Sequence, residues 1–354
     1  MAFDSKKMDS MFGFQNSIHG MLSWFLDVRS NLIDGEGGHR APAIAGHIAN
    51  CHRVLSLPRG DLPLVQKTGI PFDLASYMSV DTKYRAPIKD LYHLVNGELK
   101  EYISHFFLLS SLATLDYKKG WSDIDSFMVI KGDIAEDGRS LNRLREICLD
   151  AWPIFLRITP LQHHGFIIAT SKDMESYPSH YMPPAVFDNA LAFVDGQAPL
   201  QFIVRSGDSG SIRGLKGRVN VLKEALQTGI FKHHPKDGKY LMTHFKNPKD
   251  SMYQLFCLLG YVMTVPAYYM DGIGNGCYKG DSFKLARPAF SDRAWRIIDR
   301  STEIRSEWEV REGVEFQGNV IPAWLQKILG EDYIEASLYL MEEAVTNILR
   351  DRGV

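Results

Sequence analysis

The stretch Leu108-Leu109-Ser110-Ser111-Leu112-Ala113-Thr114-Leu115-Asp116-Tyr117-Lys118-Lys119-Gly120-Trp121-Ser122-Asp123-Ile124-Asp125-Ser126 constrains the fold of this chain more than any other feature. Phe106 to Leu109 is a continuous apolar run of strand length, and Asp125 to Ile130 holds another after its first two residues. Short runs of this kind, bounded by turn residues, are expected as strands buried on both faces. Carboxylates at i and i+2 where a strand begins point to one side of it. Asp123 and Asp125 are therefore expected to share one or two hard divalent cations, with magnesium suited because it takes oxygen ligands, keeps waters and bridges to phosphates. The upstream strand ends in Ser110 and Ser111, whose hydroxyls and neighbouring backbone N–H groups can cradle phosphate oxygens. Charge neutralisation plus in-line positioning is most of what phosphoryl chemistry asks of a protein. In the competing reading, Ser122-Asp123-Ile124-Asp125 is a turn whose acids cap backbone groups.

Around this segment the pattern alternates between helix and strand periods. Met11 to about His52 reads as a helix pair broken at Gly35-Glu36-Gly37-Gly38, and residues 56–86 hold too many breakers for long elements. A helix is expected from Pro87, placed in its first turn, to about Tyr102. Residues 139–158 have a helical period that Pro153 should kink. Leu161 to Thr170 and Leu200 to Val204 read as strands, and Ser206 to Ser211 as a hinge by composition. Beyond it, 215–228, 251–270, 291–309 and 331–352 repeat apolar residues at three and four. The expected fold class is α+β: a helical region over 1–95, a small mixed-sheet core over 96–205 and a helical domain over 206–354.

The balance of charge narrows the partners. Lysine plus arginine total 40 against 42 acidic residues, so no overall basic field holds a long polyanion, and nucleic acid is a possible but disfavoured partner. Four scattered cysteines give neither a zinc pattern nor a disulfide framework, which fits a reducing, cytoplasmic setting. Leu255 to Tyr269 is the most apolar window, but Thr264 and Pro266 break it, so a buried helix and no membrane partner are expected. His233-His234 reads as part of a polar turn, and Gly272-Ile273-Gly274-Asn275-Gly276 as a weak phosphate-loop signal. Trp295, Trp308 and Trp324 fall in helical patterns and read as core or groove-lining residues.

Over residues 105–131 the chain resembles the DNA polymerase β nucleotidyltransferase superfamily, whose pattern is an apolar strand, Gly-Ser, a loop, and Ser-Asp-x-Asp opening the next strand. Ser111-Leu112-Ala113-Thr114 followed by Gly120-Trp121-Ser122-Asp123-Ile124-Asp125 is similar to its aminoglycoside nucleotidyltransferase branch. The resemblance implies an enzyme that transfers a nucleoside monophosphate from a nucleoside triphosphate such as ATP to an acceptor hydroxyl, a small molecule being favoured, and releases pyrophosphate. It implies Asp123 and Asp125 as ligands of Mg2+ or Mn2+, and Ser110, Ser111 and Ser122 as nucleotide-binding. Two departures stand out: Ser110 replaces the family's glycine, and the strand that should bring a third carboxylate reads Leu161-Gln162-His163-His164-Gly165-Phe166-Ile167-Ile168. His164 or His163 is then expected to serve as base or nitrogen ligand, a substitution that favours manganese. In the bland alternative both histidines are structural. Asp173, Glu175 and Asp195 are further acids able to substitute from a loop. The closing helical half of the family is similar to Tyr268-Tyr269-Met270-Asp271-Gly272 through Lys279 to Lys284 and the helix with Ile304, Arg305 and Trp308, which implies Lys279 or Lys284 on the triphosphate; solvated surface lysines are the competing reading. Two rivals stay open: a catalytically degenerate nucleotide sensor or interaction protein, and a modifier of RNA ends or of a protein partner.

Overall fold

A computed structural model describes residues 18–27, 37–55, 64–159, 162, 164–177, 181–204, 210–236, 239–244, 252–311, 321–330 and 332–353. The chain gathers into two compact units. The first comprises Met1–Asp116, Asp123–Pro178 and Phe187–Asp208; the second comprises Tyr117–Ser122, Ser179–Val186 and Ser209–Val354. The fold class is α+β, a helix-rich chain with a five-stranded mixed sheet. The strands Leu64–Lys67 and Ile70–Pro71 belong to the first unit.

In the first unit, β1 (Leu64–Lys67), β2 (Ile70–Pro71), β3 (Ile103–Leu108), β4 (Ser126–Ile130), β5 (Ile167–Thr170), β6 (Leu191–Ala192) and β7 (Leu200–Ile203) build two sheets. The main sheet runs β2-β6-β3-β4-β5, and β1 pairs with β7 separately. β3 and β4 are antiparallel with Leu108 opposite Ser126, whereas β4 and β5 are parallel with Phe127 opposite Ile167. Every residue of β4 is buried, and from Phe127 to Ile130 the strand is apolar throughout. Helices Ala41–Leu55 and Gly138–Asp150 pack together so closely that a Cβ on Gly138 would lie 2.8 Å from Pro42 Cα. Pro153 does divide the expected helix, into Gly138–Asp150 and Trp152–Ile158. Pro87 does not start one: the helix Thr82–Asn96 begins earlier, where the Asp81 carboxylate accepts the Lys83 N–H at 3.0 Å, and the N-cap outweighs the proline signal. Of the expected N-terminal helix pair, 11–17 and 28–36 lie outside the described residues.

The second unit contains helices Gly210–Thr228, Met252–Met263, Val265–Gly272, Lys279–Ala286, Asp292–Arg311, Ala323–Leu329 and Tyr333–Asp351. Tyr333–Asp351 packs against Gly210–Thr228, Val265–Gly272 and Asp292–Arg311. A Cβ on Gly272 would approach Ile348 Cδ1 to 2.6 Å, so glycine permits that contact. The apolar window around Leu255 ends its first helix at Met263, one residue before Thr264, and no described helix is long and apolar enough to cross a membrane. The expected polar turn at His233-His234 is instead strand β8 (Ile230–Lys236), paired with β9 (Lys239–His244). The pair Asp237-Gly238, favoured in tight hairpins, carried that signal.

Within the second unit the segment 117–122 is fixed by aromatic packing. Trp121 stacks on Phe256 with ring centroids 4.4 Å apart and meets Trp308 edge-on at 5.5 Å. The buried Trp308 donates its indole N–H to Gly120 O at 2.9 Å. Trp295 and Trp308 are core residues, consistent with their helical pattern.

Candidate metal centre

Asp123 and Asp125 sit in the irregular stretch that leads into β4, and His164 sits just ahead of β5. Because β4 and β5 are parallel neighbours, their starting ends lie side by side and bring the three side chains together. The buried Ile124 between the carboxylates enters the core, which turns its neighbours outward together. His164 Nε2 lies 3.0 Å from Asp125 Oδ1 and 3.7 Å from Asp123 Oδ2. Among the described residues these three form the one group of three or more His, Cys, Asp or Glu side chains with all ligand atoms within 4.8 Å of one another.

The imidazole is oriented from behind. Its Nδ1–H donates to Gly165 O at 3.0 Å, and since a carbonyl only accepts, Nδ1 carries a proton and Nε2 faces the carboxylates. Burial lowers the basicity of His164, but the hydrogen bond to Asp125 and the charges of Asp125 and Asp123 overcome it and push the imidazole up to about 9. Without a cation, then, the group is an imidazolium locked between two carboxylates. With Nε2 deprotonated, the donor set is two carboxylate oxygens and an imidazole nitrogen, which fits a divalent cation held by mixed oxygen and nitrogen ligands.

Beside this group the β3–β4 ladder continues one step beyond the strands, with Leu109 N–H donating to Asp125 O at 2.8 Å. The next residue is Ser110, whose φ is +54°. This left-handed conformation favours glycine, so Ser110 holds it at a cost in strain. Ser111 and Thr114 lie in the short helix Ser110–Thr114 that follows.

The other expected residues have separate placements. Ser122 is buried and its hydroxyl accepts the Lys118 N–H at 2.9 Å, which closes the 118–122 turn. Lys279 and Lys284 belong to helix Lys279–Ala286 of the second unit, Lys284 exposed and Lys279 half-buried. His163 lies outside the described residues. Asp173 follows the far end of β5 and is engaged elsewhere: its Oδ2 accepts from Thr170 N–H and Oγ1–H, both at 2.8 Å, and stands 3.3 Å from His19. Burial opposes its ionisation, yet His19 and Thr170 hold its carboxyl below the usual range. The same network continues from Thr170 Oγ1 to His52 at 2.9 Å and from His52 to Glu136 at 2.6 Å. Glu175 is exposed in the turn after β5, and Asp195 accepts from Tyr92 O–H at 2.6 Å. None of the three belongs to the group of Asp123, Asp125 and His164.

One residue of the site had no sequence signal as an acid or base. Gln162 is buried, and its amide joins the backbone on both sides of the centre, accepting Ile124 N–H at 3.1 Å and donating to Ile124 O at 3.0 Å and His164 O at 2.8 Å. Its spacing of two from His164 was the available clue.

Compared with known proteins, the chain matches no family model, no curated protein and no solved structure.

Proposed function

We propose that the chain is a metal-dependent nucleotidyltransferase that moves a nucleoside monophosphate from a nucleoside triphosphate to an acceptor hydroxyl and releases pyrophosphate. The observation that carries this reading is the convergence of Asp123, Asp125 and His164 Nε2 at the adjoining ends of two parallel strands. The left-handed Ser110, one residue beyond the Leu109 bond to Asp125, supports it further.

In this reading Asp123 and Asp125 hold Mg2+ or Mn2+, which when bound neutralises triphosphate charge and aligns the reacting oxygens. The backbone N–H groups and hydroxyls of Ser110 and Ser111 bind the phosphate oxygens. His164 presents Nε2 either as a ligand or as the acceptor of the hydroxyl proton, with Nδ1–H kept on Gly165 O. A small-molecule acceptor agrees with the near-neutral charge balance.

A second reading has its own observation. The His164 imidazolium already occupies the position of a cation between the two carboxylates, as in a degenerate site that binds without turnover. One experiment separates them: purified protein is incubated with each α-labelled nucleoside triphosphate, Mg2+ or Mn2+, and a pool of small molecules, RNA and protein. Label transferred to an acceptor and abolished by Asp125→Asn supports the transferase and reveals its acceptor class. Triphosphate binding without transfer favours the degenerate site, and absence of both refutes the two together.

A further inference from the structure

The backbone ladder between β4 and β5 stops short of the candidate ligands. Its first pair is Phe127 with Ile167, so Asp125 and His164 both lie before the paired residues. Beyond the direct contact of His164 with Asp125, a second link joins the two segments. The Gln162 side chain provides it. Its planar amide pairs with both backbone groups of Ile124, the residue between the two aspartates, as a neighbouring strand would, and its second N–H ties the carbonyl of His164. Ile124 and Gln162 are both buried, so these bonds form away from water, where an amide left unsatisfied is costly.

We propose that Gln162 is a positioning residue of this metal centre, a side-chain link beyond the end of the β4–β5 ladder that fixes the Asp123–Asp125 pair relative to His164. The inference rests on the reading of these three residues as metal ligands. Groups that orient metal ligands without touching the ion commonly affect affinity by about 10- to 100-fold when removed.

The full-length chain is titrated with Mn2+ alone, with affinity read from the free-ion electron paramagnetic resonance signal and ligand nitrogen from the electron spin-echo modulation of the bound ion. Wild type should bind Mn2+ with imidazole nitrogen coupling. Gln162→Met, of similar length but without polar atoms, should weaken binding about 10- to 100-fold and lose or alter the nitrogen coupling. Gln162→Glu, which keeps one acceptor but loses both N–H donors, should also disturb the coupling and serves if the methionine variant does not fold. Thermal midpoints are recorded in parallel, because a merely structural glutamine would lower them while leaving Mn2+ affinity and nitrogen coupling unchanged. That result in a folded variant overturns the proposal and leaves the metal reading intact. Wild-type binding without nitrogen coupling removes His164 from the ligand set and the proposal with it, while the aspartate pair stands. No Mn2+ binding by wild type overturns both.

Discussion

A divalent ion that takes His164 Nε2 as a ligand must first displace the proton that the imidazole holds between Asp123 and Asp125. The imidazole is pushed up to about 9 in the metal-free chain, so at pH 7.5 it is almost fully protonated and binding should release close to one proton per ion. The competition costs about 1.36 kcal/mol per pH unit, or about 2 kcal/mol at pH 7.5, equivalent to roughly 30-fold in affinity. Apparent Mn2+ affinity should therefore rise about tenfold per unit from pH 6.5 to 8.5. Isothermal titration in buffers of different ionisation enthalpy counts the protons directly, with Asp125→Asn as the control that should not bind. Tight binding with no proton release and a flat pH profile would refute the reasoning, since the ion would then be held by the carboxylates beside an unchanged imidazolium.

The same ion pair links folding to pH: its stabilisation is fully present below about pH 6.5 and is lost as pH rises through about 9, an amount on the order of 3 kcal/mol. Urea midpoints of metal-free protein should fall across that window, and those of His164→Asn should fall less; equal falls would exclude this pair as the cause. His164→Asp should move metal preference from Mn2+ toward Mg2+, read from the ratio of the two dissociation constants, and an unchanged ratio would count against nitrogen ligation. Ser110→Gly should stabilise the chain by about 0.5–1 kcal/mol in denaturant titration, because relief of the left-handed strain exceeds the entropy that glycine adds to the unfolded state. Lower stability would show that Ser110 is not strained. Trp308→Phe leaves Gly120 O without its indole partner and should destabilise the chain by about 1–3 kcal/mol, measured in the same way.

The strands that flank the site were legible because their apolar runs are continuous, and Asp123 and Asp125 because a spacing of two at a strand start is itself a geometric statement. His164 was legible only as an oddity at a position where an acid was expected; its partnership with both aspartates depends on parallel pairing that no local pattern encodes. β2 and β6 have two residues each, too few for a period to register, and β1 lies among breakers. Gln162 escaped because its function is to satisfy backbone groups 38 residues away, and an amide has no sequence signature for its partners. A serine beside an acid reads equally as ligand or as turn, and the bond from Lys118 N–H to Ser122 shows the turn that the sequence left open.

The order of strands in the main sheet also governs how the chain can assemble during synthesis. β6 lies between β2 and β3 although it follows β5 in sequence. As residues leave the ribosome, β3, β4 and β5 can pair among themselves, but the other edge of β3 stays open until Leu191 and Ala192 arrive to pair with Leu108 and Phe107. That interval exposes the edge of a strand containing Phe106, Phe107 and Leu108, the kind of unpaired apolar edge that captures other nascent chains. A pause in translation before residue 190 would prolong the hazard, whereas rapid passage through 191–192 would close it.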